Sequence, residues 1–100
     1  MELSVRKLLT VVAEAALEAT LVREIEALGA RGYTITDARG KGSHGVRDGA
    51  WPKNANIRLE VLCGAATAIA ICAALRERYS DNYSMVIFVG DVEVLRPEKF

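Results

Sequence analysis

The feature that most constrains this fold is the alternation between Asn56 and Cys63, where every second residue is apolar and Leu62 is the one apolar residue among the others. The apolar positions are Ile57, Leu59, Val61 and Cys63, and the residues between them point to the opposite side of an extended chain. Alternation with a period of two is typical of a β-strand with one buried face. The rest of the chain must therefore supply a layer that covers this face.

A helix is predicted before this strand and another after it. The first covers Glu14 to Leu28, where apolar residues recur at the spacing of one helix face, and Gly29 is a suitable C-terminal stop. The second covers about Ala65 to Tyr79. Its predicted apolar stripe is Ile69, Cys72, Leu75 or Arg76, and Tyr79. Two amphipathic helices can together cover the apolar face of a sheet.

Three further strands complete the pattern. They are predicted at Leu3 to Val12, at Tyr33 to about Arg39, and at Tyr83 to about Val94. The element order is then βαββαβ. A right-handed crossover in each βαβ half produces a ferredoxin-like α+β sandwich, with four antiparallel strands and both helices on one face. We expect residues 1–100 to form a single domain, since this length supports only one packed core.

The last predicted strand is apolar on both of its faces. The run Met85-Val86-Ile87-Phe88-Val89 contains no polar residue, yet the helices of a ferredoxin-like sandwich cover only one side of the sheet. A large bare apolar surface usually marks an interface. We therefore expect an oligomer in which the sheets of neighbouring copies face one another.

A long loop, from Gly40 to Asn54, follows the second predicted strand. It holds four glycines and one proline and shows no periodicity, and loops of this length in small domains are usually functional or disordered. Glycines let successive N–H groups approach an anion, and Arg39, Lys41 and Arg47 add donors that suit phosphate. This segment is therefore the predicted functional region.

Charge and hydropathy exclude several classes of protein. The 13 basic and 13 acidic residues give a formal net charge of +0, so the chain lacks the positive field of a nucleic-acid binder. No apolar run approaches the roughly 20 residues of a membrane span, and the N-terminus has no signal-peptide pattern. We expect a cytoplasmic protein that does not cross a membrane.

Catalytic and metal-binding patterns are weak. Cys63 and Cys72 are nine positions apart, which matches neither a redox pair nor a zinc motif, and His44 is the single histidine. Both cysteines are predicted to pack in the core. No Ser-His-Asp or Cys-His arrangement is credible with one histidine, so we expect neither a resident metal nor a nucleophilic enzyme.

Four motifs together resemble the PII and PII-like trimeric signalling proteins. Gly32-x-Thr34-Ile35-x-x-x-x-Gly40-x-Gly42 is similar to the family's entry into its long T-loop, and Ile87-Phe88-Val89-x-x-Val92-Glu93 to its last strand. Two further motifs resemble the SbtB and carboxysome-associated CPII branch. They are Gly40-x-Gly42-Ser43-x-x-Val46-Arg47 and Val92-Glu93-x-Leu95-Arg96-x-x-Lys99-Phe100. The resemblance spans nearly the whole chain and implies a PII-like trimer with its T-loop at about residues 40–54.

The same resemblance implies a binding site for adenine nucleotides between neighbouring subunits. The residues it implies are Thr34 beside the adenine ring, Gly40, Gly42, Ser43 and Arg47 at the phosphate, and Val89 and Arg96 closing the pocket from the other side. Without the resemblance, Thr34 is an ordinary strand residue, and Arg96 an ordinary charged residue near the chain end. No covalent cofactor is implied, and bicarbonate is an expected co-ligand.

Departures from classical PII proteins change the expected ligand. The segment Asp81-Asn82-Tyr83-Ser84-Met85 stands where the family has a glycine-lysine pair that meets the outer phosphates of ATP. Because no basic residue is present, ATP is expected to bind more weakly than AMP, ADP or cyclic AMP. The T-loop glutamine for 2-oxoglutarate and the usual tyrosine for uridylylation are missing as well.

The resemblance also implies a partner. In the related branch the T-loop acts on inorganic-carbon metabolism, so we expect a bicarbonate transporter or a carboxysome-associated protein. Trp51 and Lys41 are the predicted contacts, because an exposed aromatic residue is a typical anchor for a partner. Trp51 could instead pack on the body, and Lys41 could simply be solvated.

Other proteins share this architecture. Acylphosphatases need an arginine-bearing glycine loop after the first strand, and Val12-Ala13-Glu14-Ala15 supplies none. RNA-binding RRM domains stack bases on aromatic residues of their central strands, and Asn56 to Cys63 has no aromatic residue. A CutA-like trimeric metal-tolerance protein and a slow nucleotide-hydrolysing enzyme remain as alternatives to a non-catalytic sensor.

Overall fold

A four-stranded antiparallel sheet with both helices on one face forms the body of the protein. The computed structural model describes residues 1–42, 45–47, 56–82 and 84–100, with the backbone alone for residues 41, 42 and 45–47. The strands are β1 (Ser4–Glu14), β2 (Thr34–Asp37), β3 (Gly40–Gly42), β4 (Gly45–Arg47), β5 (Asn56–Cys63) and β6 (Val86–Val94), and the helices are α1 (Glu18–Ala27) and α2 (Ala65–Arg78).

The sheet order is β2-β5-β1-β6, and β3 pairs separately with β4. In the central pair, Leu9 of β1 lies opposite Val61 of β5, and on the other side of β1 the same residue lies opposite Val89 of β6. Every pairing within the sheet is antiparallel. The ferredoxin-like α+β fold predicted from the order of the elements is confirmed.

The core lies between the sheet and the two helices. Alternate residues of the central strands meet residues of both helices there, and each of these side chains is at most 3% exposed: Leu9, Val11, Ala13, Leu21, Ile25, Leu59, Val61, Cys63, Ala68, Ile71 and Leu75. The alternation that singled out β5 in the sequence thus corresponds to its buried face. Cys63 and Cys72 are both unpaired, and Cys63 packs in the core as predicted.

The end of α1 is a Schellman motif. Ala30 N–H donates to Ile25 O at 2.9 Å, and Gly29 N–H donates to Glu26 O at 3.2 Å. Gly29 has φ +109°, a conformation that favours glycine. Ala30 follows it and is 9% exposed, so the chain leaves the helix on a buried anchor. The predicted stop at Gly29 is confirmed.

The beginning of the first helix differs from the prediction. The sequence favours a helix from Glu14, but β1 continues to Glu14 because its pairing with β5 extends to Glu14 opposite Asn56. A 3-10 turn at Ala15–Leu17 follows, and α1 begins at Glu18. Cross-strand hydrogen bonds to a distant segment therefore prevail over the local helical pattern.

The apolar stripe predicted for the second helix is wrong at Ile69 and right at Leu75. Ile69 is 70% exposed, whereas Ala68, Ile71 and Leu75 are buried. Cys72 and Tyr79 do pack partly against the core. Alanine occupies several sides of α2, so hydrophobic periodicity alone did not determine which side turns to the sheet.

Two short strands occupy part of the stretch predicted to be an irregular loop. Gly40 lies opposite Arg47, and Gly42 lies opposite Gly45, so β3 and β4 form a small antiparallel ladder. β2 is shorter than predicted, ending at Asp37, and β6 begins at Val86 rather than at Tyr83. Tyr83 itself lies outside the described residues.

The face of the sheet away from the helices carries exposed apolar side chains beside polar and charged ones, and we call it the open face. Val86 and Phe88 on β6 are 45% and 48% exposed. Their cross-strand neighbours on β1 are Val12 and Thr10. No part of the described chain covers this surface as the helices cover the other face. The predicted bare apolar face is thus present.

Candidate functional site

The residues predicted to bind a nucleotide form two separate groups in the structure. The first group lies at the β2 edge. Thr34 opens β2, is exposed, and pairs with Glu60 of β5. After β2 the chain enters the β3–β4 ladder, where Gly40 is directly opposite Arg47. The backbone thus brings Gly40 and Arg47 together although seven positions separate them.

Gly40 leaves one side of this ladder open. A Cβ atom added at Gly40 would meet nothing within 4 Å. The φ angle of Gly40 lies outside the left-handed region, in which Gly29 alone falls among the described glycines. A strained conformation is therefore not the reason for a glycine here. Open space beside an exposed strand is what close approach of a ligand to the backbone requires.

The second group lies on and after β6. Val89 is 40% exposed. Arg96 follows the strand, and its carbonyl accepts a hydrogen bond from Lys99 N–H at 3.2 Å, which closes the final turn, Pro97–Lys99. Arg96 is exposed, and its guanidinium has no hydrogen-bond partner within the described ranges.

One protomer cannot unite these two groups. β2 and β6 are the opposite edges of the sheet, so three strand spacings of about 4.8 Å separate them by roughly 14 Å. Val94 pairs with Ser4 at one end of β1, whereas Asp37 is aligned through Ile57 with Ala13 near the other end. At about 3.3 Å per residue these ends are roughly 30 Å apart.

The open face also carries a charged pair to which the sequence analysis assigned no role. Arg58 Nη2 lies 3.4 Å from Glu60 Oε2, and the Arg58 guanidinium carbon lies 6.0 Å from the centre of the Phe88 ring. Glu60 is the cross-strand partner of Thr34. The signal was available in the sequence, since both charges fall on the non-core side of an alternating strand.

A network of hydroxyl and acidic groups occupies the turn that leads into β6. Ser84 Oγ is 2.9 Å from Glu14 Oε1 and 2.7 Å from Asn82 Oδ1. Glu14 ends β1 opposite Asn56, at the same end of the sheet as the β3–β4 ladder. Asp81 is exposed nearby in sequence. The turn into β6 therefore presents acidic side chains, while the basic residues at this end of the molecule belong to the segment after β2.

The two cysteines, both in the described part of the chain, offer little nucleophilic chemistry. Burial raises the pKa of the Cys63 and Cys72 thiols above the ordinary value of 9.0, so both are protonated near neutral pH. Within the described residues there is no group of three or more side chains that could hold a metal ion. No described helix is long and apolar enough to cross a membrane.

Several predicted residues fall where the structure gives no side chain. Ser43 and Trp51 lie outside the described residues. For Lys41, Gly42 and Arg47 the backbone is described and the side chains are not. Their proposed contacts with phosphate or with a partner therefore stay predictions.

The geometry defines a ferredoxin-like protein whose predicted binding residues lie in two groups at opposite edges of the sheet. The chain matches the family profile "Nitrogen regulatory protein P-II" over residues 6–99. A PII-like signalling protein from Thermus thermophilus is 46% identical and has a TM-score of 0.83, and the match covers 100% of this chain and 99% of that one. The chain belongs to the P-II family.

Two structures of CPII from Thiomonas intermedia are also similar. One, bound to ADP and bicarbonate, is 29% identical with a TM-score of 0.86, and the match covers 99% of this chain and 97% of that one. The other, bound to ADP, AMP and bicarbonate, is 28% identical with a TM-score of 0.87, and the match covers 99% and 96%. The resemblance to the PII-like family and its CPII branch is confirmed.

Proposed function

We propose that this protein is a PII-like regulatory sensor that binds ADP or AMP in clefts between the subunits of a homotrimer. The observation that carries the proposal is the separation of the two groups of binding residues, since only a neighbouring copy can bring Arg96 and Val89 to the β2 edge. Ligand-bound CPII supports the choice of nucleotide and makes bicarbonate a candidate co-ligand.

Each group has a separate task in this proposal. Thr34 lies beside the adenine ring, and backbone N–H groups of Gly40 and Gly42 meet the phosphate together with Ser43 and Arg47. Val89 and Arg96 of the adjacent copy complete the cleft. Arginine suits this position because its planar fork matches phosphate oxygens.

The charges at the entry to β6 support a preference for shorter nucleotides. Glu14 and Asp81 bring negative charge to the end of the sheet that carries the β3–β4 ladder, and the Ser84 hydroxyl is engaged by Glu14 and Asn82. A γ-phosphate placed near these groups would meet repulsion instead of a lysine. ADP and AMP are therefore the proposed ligands, with ATP binding more weakly.

Signalling follows from ordering of the T-loop. A phosphate bound at its base biases the loop between two states by its different affinity for them. The loop then meets inorganic-carbon uptake or carboxysome machinery, with Trp51 and Lys41 as proposed contacts. The protein acts without catalysis in the cytoplasm, and a phosphate-release assay with ADP and ATP tests against slow hydrolysis.

The first experiment is calorimetric titration with ADP, AMP and ATP, each with and without bicarbonate. We expect ADP and AMP to bind more tightly than ATP, and bicarbonate to change the affinity. A chain that binds none of the three is not a nucleotide sensor, and a preference for ATP would contradict the argument from the acidic turn.

A mixing experiment tests the shared cleft. Arg47→Ala and Arg96→Ala chains are each expected to lose ADP affinity. Co-expressed chains should regain one intact site in each mixed trimer, because one variant supplies Arg96 and the other supplies Arg47. If both residues served one protomer's site, mixing would restore nothing.

A further inference from the structure

Two arginines from distant parts of the chain hold the C-terminal turn against the body. Arg6 of β1 donates from Nη2 to Pro97 O at 3.3 Å. Arg31, shortly after α1, donates from Nη1 to Glu98 O at 2.8 Å. The two acceptors are consecutive carbonyls of the turn Pro97–Lys99, so the guanidiniums hold it at adjacent points.

The turn needs such support. Its own hydrogen bonds run from Lys99 N–H to Arg96 O at 3.2 Å and from Phe100 N–H to Pro97 O at 3.1 Å. A single 3-10 turn has poor hydrogen-bond geometry and is not stable in isolation. The carbonyls at the end of a helix also lack partners within the helix. The guanidinium of Arg31 supplies a donor to Glu98 O, which would otherwise face solvent.

One donor lies within a strand, and the other lies just after the end of a helix. Arg6 lies within β1, opposite Val92 of β6, and also donates from Nη1 to Val5 O at 2.9 Å. Arg31 follows the Schellman motif, in which Gly29 reverses the chain and Ala30 is buried. The position of the C-terminal turn is therefore tied to the sheet through Arg6 and to the end of α1 through Arg31.

We propose that Arg6 and Arg31 are positioning residues of the nucleotide site, which hold the C-terminal turn so that Arg96 is presented to the phosphate in a neighbouring copy's cleft. The inference rests on the proposed function. Arg96 is the residue that opens this turn, and its guanidinium is exposed with no hydrogen bond to the rest of the described chain. Holding the turn fixes the Arg96 backbone while leaving its side chain available.

The expected effect is a loss of preorganisation. When the turn is free, binding must also order it, so the apparent affinity equals the intrinsic affinity multiplied by the fraction of molecules with the turn docked. A hydrogen bond from one exposed guanidinium to a carbonyl supports about a threefold to tenfold change. The change should appear only for ligands that carry phosphate, because Arg96 is proposed to meet phosphate.

The test compares Arg31→Gln and Arg6→Gln with the wild type, and Arg23→Gln is the matched control. Arg23 is an exposed arginine of α1 whose guanidinium donates to Thr20 within its own helix. The first readout is hydrogen exchange of the Lys99 and Phe100 amides without ligand. The second is the affinity for ADP and for adenosine, which lacks phosphate.

Support for the inference is faster exchange at Lys99 and Phe100 in both the Arg31 and the Arg6 variant, with weaker ADP binding and unchanged adenosine binding. Unchanged hydrogen exchange at Lys99 and Phe100 overturns the inference. If ADP binding is nevertheless weaker, Arg31 or Arg6 contacts the nucleotide itself. Faster exchange with unchanged ADP affinity overturns the positioning role alone. If the wild type does not bind ADP, the proposed function fails first, and the exchange result still reports whether the two arginines hold the turn.

Discussion

Thr10 departs from the ordinary packing of a polar side chain. It is 0% exposed, yet its hydroxyl has no hydrogen-bond partner within the described part of the chain. It lies on the open face of β1, between Glu60 of β5 and Phe88 of β6. A buried hydroxyl without a partner destabilises the folded state because its hydration is lost without replacement.

We expect Thr10→Val to raise the free energy of unfolding by about 1 kcal/mol, since valine keeps the shape and removes the unpaired hydroxyl. Urea denaturation measures this. Thr10→Ser is the control, because it keeps the hydroxyl and loses the methyl group, and it should be destabilised. If Thr10→Val is instead the less stable variant, the hydroxyl has a partner in the assembled protein.

Tyr79 and Glu24 join the two helices. Tyr79 Oη donates to Glu24 Oε1 at 3.0 Å, and Arg78 Nη1 lies 3.3 Å from the same oxygen. Burial raises the pKa of Tyr79 above its ordinary value of 10.0, and the hydrogen bond to Glu24 raises it further. The neutral hydroxyl is thus the form that stabilises the fold.

Because the pKa is raised in the folded state, this stabilisation is complete below about pH 10 and is lost as the pH rises further. Tyr79→Phe should therefore lower the free energy of unfolding by about 1 kcal/mol at neutral pH. The difference between this variant and the wild type, which we call the gap, should narrow above pH 10. Urea denaturation at the two pH values measures the gap. Tyr33→Phe, at an exposed tyrosine, should show no such change, and a gap constant with pH would contradict the assignment.

Sequence reasoning succeeded for residues whose environment follows from local pattern. The burial of Cys63 and of the alternating residues of β5 is an example. It missed Arg6 and Arg31, because their acceptors are backbone carbonyls 91 and 67 positions away. A carbonyl has no sequence signature, so nothing in the chain marks such a bond before the fold is known.

At the scale of elements, the end of α1 decides where the chain turns toward β2. Gly29 holds φ +109°, and a Cβ atom there would come no closer than 3.4 Å to Thr67 Oγ1. Space is therefore sufficient, and backbone strain is the obstacle to substitution. This separates Gly29 from Gly32, where a Cβ atom would meet nothing within 4 Å and φ is not in the left-handed region.

Gly29→Ala should lower the free energy of unfolding by about 1–3 kcal/mol through this strain. Gly32→Ala should be nearly neutral and is the matched control. Thermal unfolding of both variants tests the difference. Equal stabilities would show that the helix ends in another way in solution.

The helices and strands were predictable where the spacing of apolar residues differs clearly between neighbouring segments. The change from alternation to a helical spacing placed both helices and the four sheet strands in the right order. The rotation of α2 was not predictable, because its alanines provide nearly equal apolar patterns on different sides. Packing chose Ile71 over Ile69, since only Ile71 faces the core.

At the scale of the whole molecule, the open face and the separation of the two groups of predicted binding residues both favour an oligomer. Val86 and Phe88 leave apolar area uncovered, and the two groups of predicted ligands lie at opposite edges. Association of copies through the open face would bury this apolar area and would bring the two groups of predicted ligands together. The proposed homotrimer therefore accounts for two independent features with one arrangement.

Phe88→Glu should convert the assembly to monomers without unfolding the protomer, because the desolvation of a carboxylate and the loss of the apolar ring both oppose association. Sedimentation velocity measures the assembly, and circular dichroism measures the fold. Ile69→Glu is the control, since Ile69 is 70% exposed on α2, away from the open face. An assembly that survives Phe88→Glu and dissociates with Ile69→Glu would place the interface on the helices.

The sequence by itself determined the class of fold, the buried face of β5 and the helix stop at Gly29, because each depends on periodicity or backbone preference within a few residues. Only the tertiary structure decided the length of β1, the buried side of α2 and the hold of Arg6 and Arg31 on the C-terminal turn. These depend on register and on contacts between distant segments. Such contacts exist only when the chain has folded, so local pattern carries no record of them.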